Sequence, residues 1–108
     1  MKSVIEGVGK EAPVEVTEKG GKHSALPYRF DLFDSKSMFV VANILKEGAE
    51  KYGTDNWRDI PVEAHINHLL THTYAYLAGD SQDDHLGHAL RRAMFALAVH
   101  LQEVPDRG

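Results

Sequence analysis

The chain has 108 residues, 43% of them hydrophobic and 26% charged, with a formal net charge of −4. This reads as one globular domain with a modest core, and the acidic balance excludes non-specific binding to nucleic acid, which needs a basic surface. Cysteine is absent, which excludes disulfides, thiolate metal sites and thiol nucleophiles.

The opening MKSVIEGVGKEAPVEV has no long apolar run, so no signal peptide is expected. No stretch approaches the roughly 20 apolar residues that cross a bilayer, and the expected location is the cytoplasm, with no membrane partner. Residues 1–34 are expected to form an extended N-terminal arm. Gly7, Gly9, Gly20 and Gly21 punctuate it, and Pro13 and Pro27 forbid a continuous helix. Val14, Val16 and Thr17 predict a short strand, and the scarcity of partners within the arm suggests pairing with another subunit. Gly20-Gly21-Lys22, with Arg29, either lets the backbone approach an anion or simply turns the chain. It is not a P-loop, because the spacing and the following helix are missing. Tyr28, Phe30, Leu32 and Phe33 form a dense apolar group expected to fold back onto the helices. Arg29 and Asp31 alternate with them and should point the other way.

Residues 35–108 are expected to be helical. The first helix is predicted from about Ser35 to Tyr52, capped by Asp34 or Ser35 and ended by Gly53. Its buried stripe is predicted as Met38, Val41, Leu45, Ala49 and Tyr52. The second is predicted from about Pro61 to Ala78, with Ile66, Leu70, Thr73 and Leu77 facing the core. The third is predicted to start near Ser81 to Asp84, where SQDD offers a variant capping box, and to run to Leu101. From Ala93 onward it is apolar on nearly every side. Three helices do not bury such a helix on all faces, so packing against another subunit is expected.

Five of the seven histidines lie in AHINHLLTHTY and DDHLGHA. His65, His68 and His72 fall at i, i+3 and i+7, on one helix stripe. His85 and His88 fall at i, i+3 beside Asp83 and Asp84. If the stripes face each other, imidazoles and carboxylates share one cleft. Mixed ligation of that kind suits Mn²⁺, Fe²⁺ or Zn²⁺, and carboxylates with water suit Mg²⁺. The alternative is that these side chains cap helices or face solvent. His68, Asp84, His85 and His88 are the preferred group, His65 and His72 are weaker candidates, and His100 reads as structural. Glu47 and Glu50, at i, i+3, can grip one divalent ion or form a solvated face balanced by Lys46 and Lys51. In the loop that follows, Tyr52 and Trp57 can stack on a base, Lys51 or Arg58 can meet phosphate, and Asn56 can read a base edge. Equally, Trp57 can plug the core beneath the loop.

The order GGK, PYRFDL, EGAEKYG, DNW, HINHLLTH and DDHLGHA before an Ala-rich helix, over roughly residues 19–101, resembles a small phage-encoded family of dATP/dGTP diphosphohydrolase-like proteins. That family stands near the MazG-type all-α nucleoside triphosphate pyrophosphohydrolases. The resemblance implies a mainly α protein: a three-helix MazG-like domain with an extended arm, completed by oligomerisation to at least a homodimer. It also implies a metal-dependent cleavage of purine deoxynucleoside triphosphates to monophosphate and pyrophosphate with Mg²⁺ or Mn²⁺. MazG-type enzymes carry Glu-Glu-x-x-Glu on one helix and Glu-x-x-Asp on the next. Here only Glu47-x-x-Glu50 matches part of the first, and Asp84-His85-Leu86-Gly87-His88 stands where the second is expected.

Taken together, the expected metal ligands are Glu47, Glu50, Asp84 and His88, and the expected catalytic groups are Glu47, Glu50, His68 and Asp84. The expected nucleotide contacts are Arg29, Asp31, Lys51, Tyr52, Asn56, Trp57 and His85. The other reading is a phage nucleotide-binding protein that sequesters a nucleotide or nucleotide signal without hydrolysing it.

Overall fold

A computed structural model describes residues 5–104. The chain divides into one unit ending at Asp34 and a second beginning at Ser35.

In the first unit, β1 (Val14–Val16) pairs antiparallel with β2 (Lys22–Ser24), with Val14 opposite Ser24 and Val16 opposite Lys22. The strand thus finds a partner in its own chain. The reversal rests on Gly20, whose φ of +86° is open to glycine. Its N–H donates to the Thr17 carbonyl at 2.9 Å, and the Gly21 N–H donates to Thr17 Oγ1 at 3.0 Å. Gly20-Gly21 is therefore a hairpin turn. Further on, Phe30–Leu32 form a 3-10 turn. The turn brings Arg29 and Asp31 to one side, where they form a two-pronged ion pair at 2.9 and 2.8 Å. Phe30 and Phe33 stack at 5.8 Å. Within this unit the apolar group stays exposed: Phe30 is 74% exposed, Leu32 71% and Phe33 57%.

In the second unit, α1 (Ser35–Tyr52), α2 (Val62–Leu77) and α3 (His85–Glu103) are joined by short loops, and a 3-10 turn, Asn56–Asp59, lies between α1 and α2. Pro61 (φ −60°, ψ 151°) caps α2 from outside rather than opening it. At α3 the cap is Asp84, whose carboxylate accepts from the Gly87 N–H at 3.0 Å. The helix begins at His85, so Ser81 is not its cap. α3 packs most extensively on α2 and less on α1. The core is Val41 and Ile44 from α1 and Ala89, Phe95, Ala96 and Val99 from α3, with the fully buried His65 from α2. Gly87 permits the α1–α3 approach: a Cβ there would stand 2.6 Å from Ile44 Cδ1.

Two helix faces differ from the periodicity. On α1, Val41 and Ile44 are buried, whereas Met38 is 39% and Tyr52 59% exposed. On α2, Ile66, Leu70 and Leu77 are exposed, and the buried side carries His65, with Leu69 and His72 half-buried. Hydropathy alone turns Ile and Leu inward. Here the buried side is the one whose histidines, His65 and His72, bond to groups outside α2. On α3, Met94, Leu97 and Leu101 remain exposed opposite the buried Phe95, Ala96 and Val99. Among the described residues, no helix is long and apolar enough to cross a membrane.

Candidate functional site

The end of α1, the loop after it and the middle of α3 enclose a cavity of about 320 Å³, lined in part by Lys46, Tyr52, Asn56, Trp57, Arg91 and Arg92. Phe95 floors it and stacks on Trp57, with ring centroids 4.4 Å apart and planes 5° apart. The Arg58 guanidinium carbon lies 4.3 Å from the Trp57 centroid. Two groups that close, both face-on, must occupy opposite faces of the indole. Trp57 therefore walls the cavity and offers no free face to a base. Arg58 is itself held by Asp55 at 3.1 Å and by the Gln102 side chain at 2.7 Å.

Arg91 and Arg92 are the unusual feature of this cavity. Both are half-buried, and the Nε of each is buried without a hydrogen-bond partner. Burial pushes both guanidinium pKa values down. The charges of Tyr52, Asp83 and Glu47 act on Arg91 in the opposite direction. Gly48 leaves room for Arg91, because a Cβ there would meet Arg91 Nη1 at 2.9 Å. Arg92 Nη1 donates to His65 Nδ1 at 3.1 Å. An arginine only donates, so His65 Nδ1 is the acceptor and its Nε2 carries the proton. That Nε2–H donates to the Trp57 carbonyl at 2.9 Å. A neutral His65 thus ties α2 to the loop and to α3 at once.

The second cluster lies where the end of α2 meets the start of α3. His72 Nδ1 and His85 Nδ1 are 3.0 Å apart. His85 Nε2 meets Asp80 Oδ2 at 2.5 Å, and this contact holds the Asp80 carboxyl below the usual carboxylate range. His88 stacks on His72 with centroids 5.0 Å apart, and its Nε2 is 3.5 Å from Asp83 Oδ1. Among the described residues, His72, Asp83 and His85 form a group whose ligand atoms all lie within 4.8 Å of one another. Burial, followed by the neighbouring His88 and His85, holds His72 below the ordinary histidine pKa, against a smaller opposing pull from Asp83. Neutral imidazole is the metal-binding form.

The two facing histidine stripes are therefore real, but their membership differs from the expected set. Tyr52, Asn56 and Trp57 line the cavity. Lys51 instead places its ammonium 5.0 Å from the Tyr52 ring centroid. Arg29 and Asp31 lie in the first unit, paired with each other, and Arg29 holds the Asp31 carboxyl below its usual range. Glu47 and Glu50 are exposed on α1, with Glu47 accepting from Asn43 at 3.2 Å. Asp84 is committed to the α3 cap. His85 and His88 belong to the histidine cluster with His72. His68 is exposed on α2, its pKa lowered by partial burial and then by the Arg92 charge. Arg91, Arg92, Phe95 and Asp80 were not anticipated. The available signal was the Arg91-Arg92 pair directly before the apolar run that starts at Ala93, where two charges must either find partners or await a ligand.

No curated protein and no solved structure matches the chain. The family model described as "dATP/dGTP diphosphohydrolase, N-terminal" matches residues 17–107, from the hairpin turn to beyond α3. A match over that much of the sequence makes the chain a member of the dATP/dGTP diphosphohydrolase N-terminal family.

Proposed function

We propose that the chain hydrolyses purine deoxynucleoside triphosphates, dATP or dGTP, to the monophosphate and pyrophosphate with Mg²⁺ or Mn²⁺. The observation that carries this reading is the pair of half-buried arginines, each with an unpartnered buried Nε, in one cavity. Buried guanidinium N–H groups without acceptors are costly. Phosphate oxygens would supply those acceptors in charge-assisted, two-pronged geometry. The cavity size lies at the lower end of ligand pockets, roughly 300–1,000 Å³. Tyr52 and Asn56 on its wall would contact the base and sugar. In the reaction a water oxygen bonds to the α-phosphorus, the bridging P–O bond to the β-phosphate breaks, and pyrophosphate leaves.

For the metal we propose Glu47 and Glu50 of α1, which stand outside the cavity lining. They sit one helical turn apart, both open to solvent, and the Glu47 charge acts on Arg91. Mg²⁺ needs only one or two carboxylates when phosphates and waters complete its shell. The bound ion would neutralise phosphate charge and lower the pKa of a coordinated water. Incubating the purified chain with each dNTP, with and without Mn²⁺, tests the reading. Metal-dependent pyrophosphate release from dATP or dGTP supports it, and failure to cleave any dNTP overturns it.

Sequestration without hydrolysis is favoured by one observation. Among the described residues, no cluster of three or more possible ligand groups includes Glu47 or Glu50. This reading expects a purine nucleotide that copurifies and stays intact through incubation with Mn²⁺.

We also infer self-association into at least a dimer. Leu70 and Leu77 of α2 and Leu90, Met94, Leu97 and Leu101 of α3 are all more than 40% exposed. Light scattering is expected to give at least twice the 12.0 kDa chain mass. Leu97→Glu is expected to lower it, and a monomeric wild-type chain would refute the inference.

A further inference from the structure

We propose that His72, Asp83 and His85 form a binding site for a borderline transition-metal dication of the Zn²⁺ class, separate from the nucleotide cavity. The site would clamp the end of α2 to the start of α3. The proposal stands on side chains outside that cavity and does not depend on nucleotide hydrolysis.

The geometry is that of neighbouring ligands. A metal–nitrogen bond of ~2.1 Å places two adjacent ligand nitrogens about 3.0–3.4 Å apart in octahedral or tetrahedral shells. The Nδ1 atoms of His72 and His85 stand 3.0 Å apart. The Asp83 carboxylate joins them, with all three ligand atoms within 4.8 Å of one another. Asp83 is itself fixed, its Oδ1 accepting from the Asp84 N–H at 2.8 Å.

The surrounding groups complete the pattern. A metal-ligating histidine ordinarily gives its other ring N–H to a carboxylate, which sets the tautomer and aims the free lone pair. The Asp80 carboxylate does this for His85, accepting at Nε2 and leaving Nδ1 to face His72. His88 stacks against the His72 ring and limits its rotation. Two imidazoles and one carboxylate, with a water in the fourth place, suit Zn²⁺ or Co²⁺ far better than Mg²⁺, which prefers oxygen ligands. Asp80 is a positioning residue here, because it acts through His85.

The ends being joined are close in sequence. α2 stops at Leu77 and α3 starts at His85. One ligand comes from α2, one from the connecting turn and one from the first residue of α3. A metal at this point would hold the hairpin that also carries the His65–Arg92 bond, which sets an arginine of the cavity.

The test is calorimetry and metal analysis on the full chain after chelator treatment, titrated with Zn²⁺ and separately with Mg²⁺, without nucleotide. One Zn²⁺ per chain, bound at least 100-fold more tightly than Mg²⁺, is expected, with a rise in Tm. The Co²⁺ form is expected to show visible absorption bands. His72→Ala and His85→Ala are expected to weaken Zn²⁺ binding by at least 100-fold. Asp80→Asn should weaken it 10- to 100-fold. His100→Gln, on the far end of α3, should leave it unchanged. Circular dichroism confirms folding, and Asp83→Asn provides a milder variant should either alanine variant unfold. Absence of Zn²⁺ binding, or binding equal in wild type, His72→Ala and Asp83→Asn, would mean that the cluster is an imidazole–imidazole hydrogen bond only, and the proposal falls.

Discussion

Arg91→Ala is expected to lower kcat/KM for dATP or dGTP by about 100-fold while leaving the Tm within a few degrees of wild type. The guanidinium lines the cavity, its Nε has no partner, and it lies 5.7 Å from the Phe95 ring. It therefore contributes little to the fold that a smaller residue would forfeit, beyond packing of its stem. Toward a phosphate, charge-assisted hydrogen bonds contribute roughly 1.5–3 kcal/mol each. About 2.7 kcal/mol corresponds to two powers of ten in rate. Arg91→Lys should recover only part of the loss, because an ammonium keeps the charge but not the planar fork. If the chain sequesters nucleotide without cleaving it, the same substitution should raise the nucleotide Kd by a similar factor. An Arg91→Ala chain with unchanged kinetics and unchanged nucleotide affinity removes the arginine pair from the site.

His65→Ala is expected to destabilise the chain by about 3 kcal/mol, within the range for truncating a buried, hydrogen-bonded side chain. For a domain of this size that lowers the Tm by more than ~10 °C. His65 is 0% exposed, and both ring nitrogens are bonded, one to the Trp57 carbonyl and one to Arg92. Its ring also meets the edge of Phe95 at 5.4 Å. Truncation opens a cavity and strips an acceptor from a half-buried cation. His65→Leu separates these effects, because it refills the volume but pairs neither group. It is expected to remain less stable than wild type by about 1–2 kcal/mol. A His65→Leu chain as stable as wild type would show that packing alone holds this position. Because His65 positions Arg92, both variants should also weaken nucleotide binding beyond what their lowered stability explains.

Much of the secondary structure was legible because its causes are local. Gly53 and the Asp34-Ser35 pair bracket α1 as Ser35–Tyr52, and Pro61 sets the start of α2. The second strand was not legible, because Lys22-His23-Ser24 carries no alternation of apolar residues. It is a strand because the Gly20 turn delivers it to β1. Nor was the rotation of α2 legible. Hydropathy assigns Ile66, Leu70 and Leu77 to the core, yet the buried side carries His65, bonded to residues 8 and 27 positions away. A buried histidine reads as polar until both of its partners are known.

The candidate site shows the same division. Spacing alone places His65, His68 and His72 on one side of α2, but that this side meets His85 and His88 follows only from how the helices pack. So does which of them meets which partner. His72 rather than His68 reaches His85, and Asp84 caps α3. Trp57 lies in the turn after α1 with both of its faces covered, and the cavity depends on Arg91 and Arg92 of α3. The helix count and limits, the family and the pool of chemically capable residues were thus determined by the sequence itself, because caps, breakers, motifs and periodicity act within a few residues of chain. Tertiary structure alone decided how α2 is turned, which imidazoles converge and which charges are left unpartnered in a cavity. These depend on hydrogen bonds and packing between segments far apart in sequence.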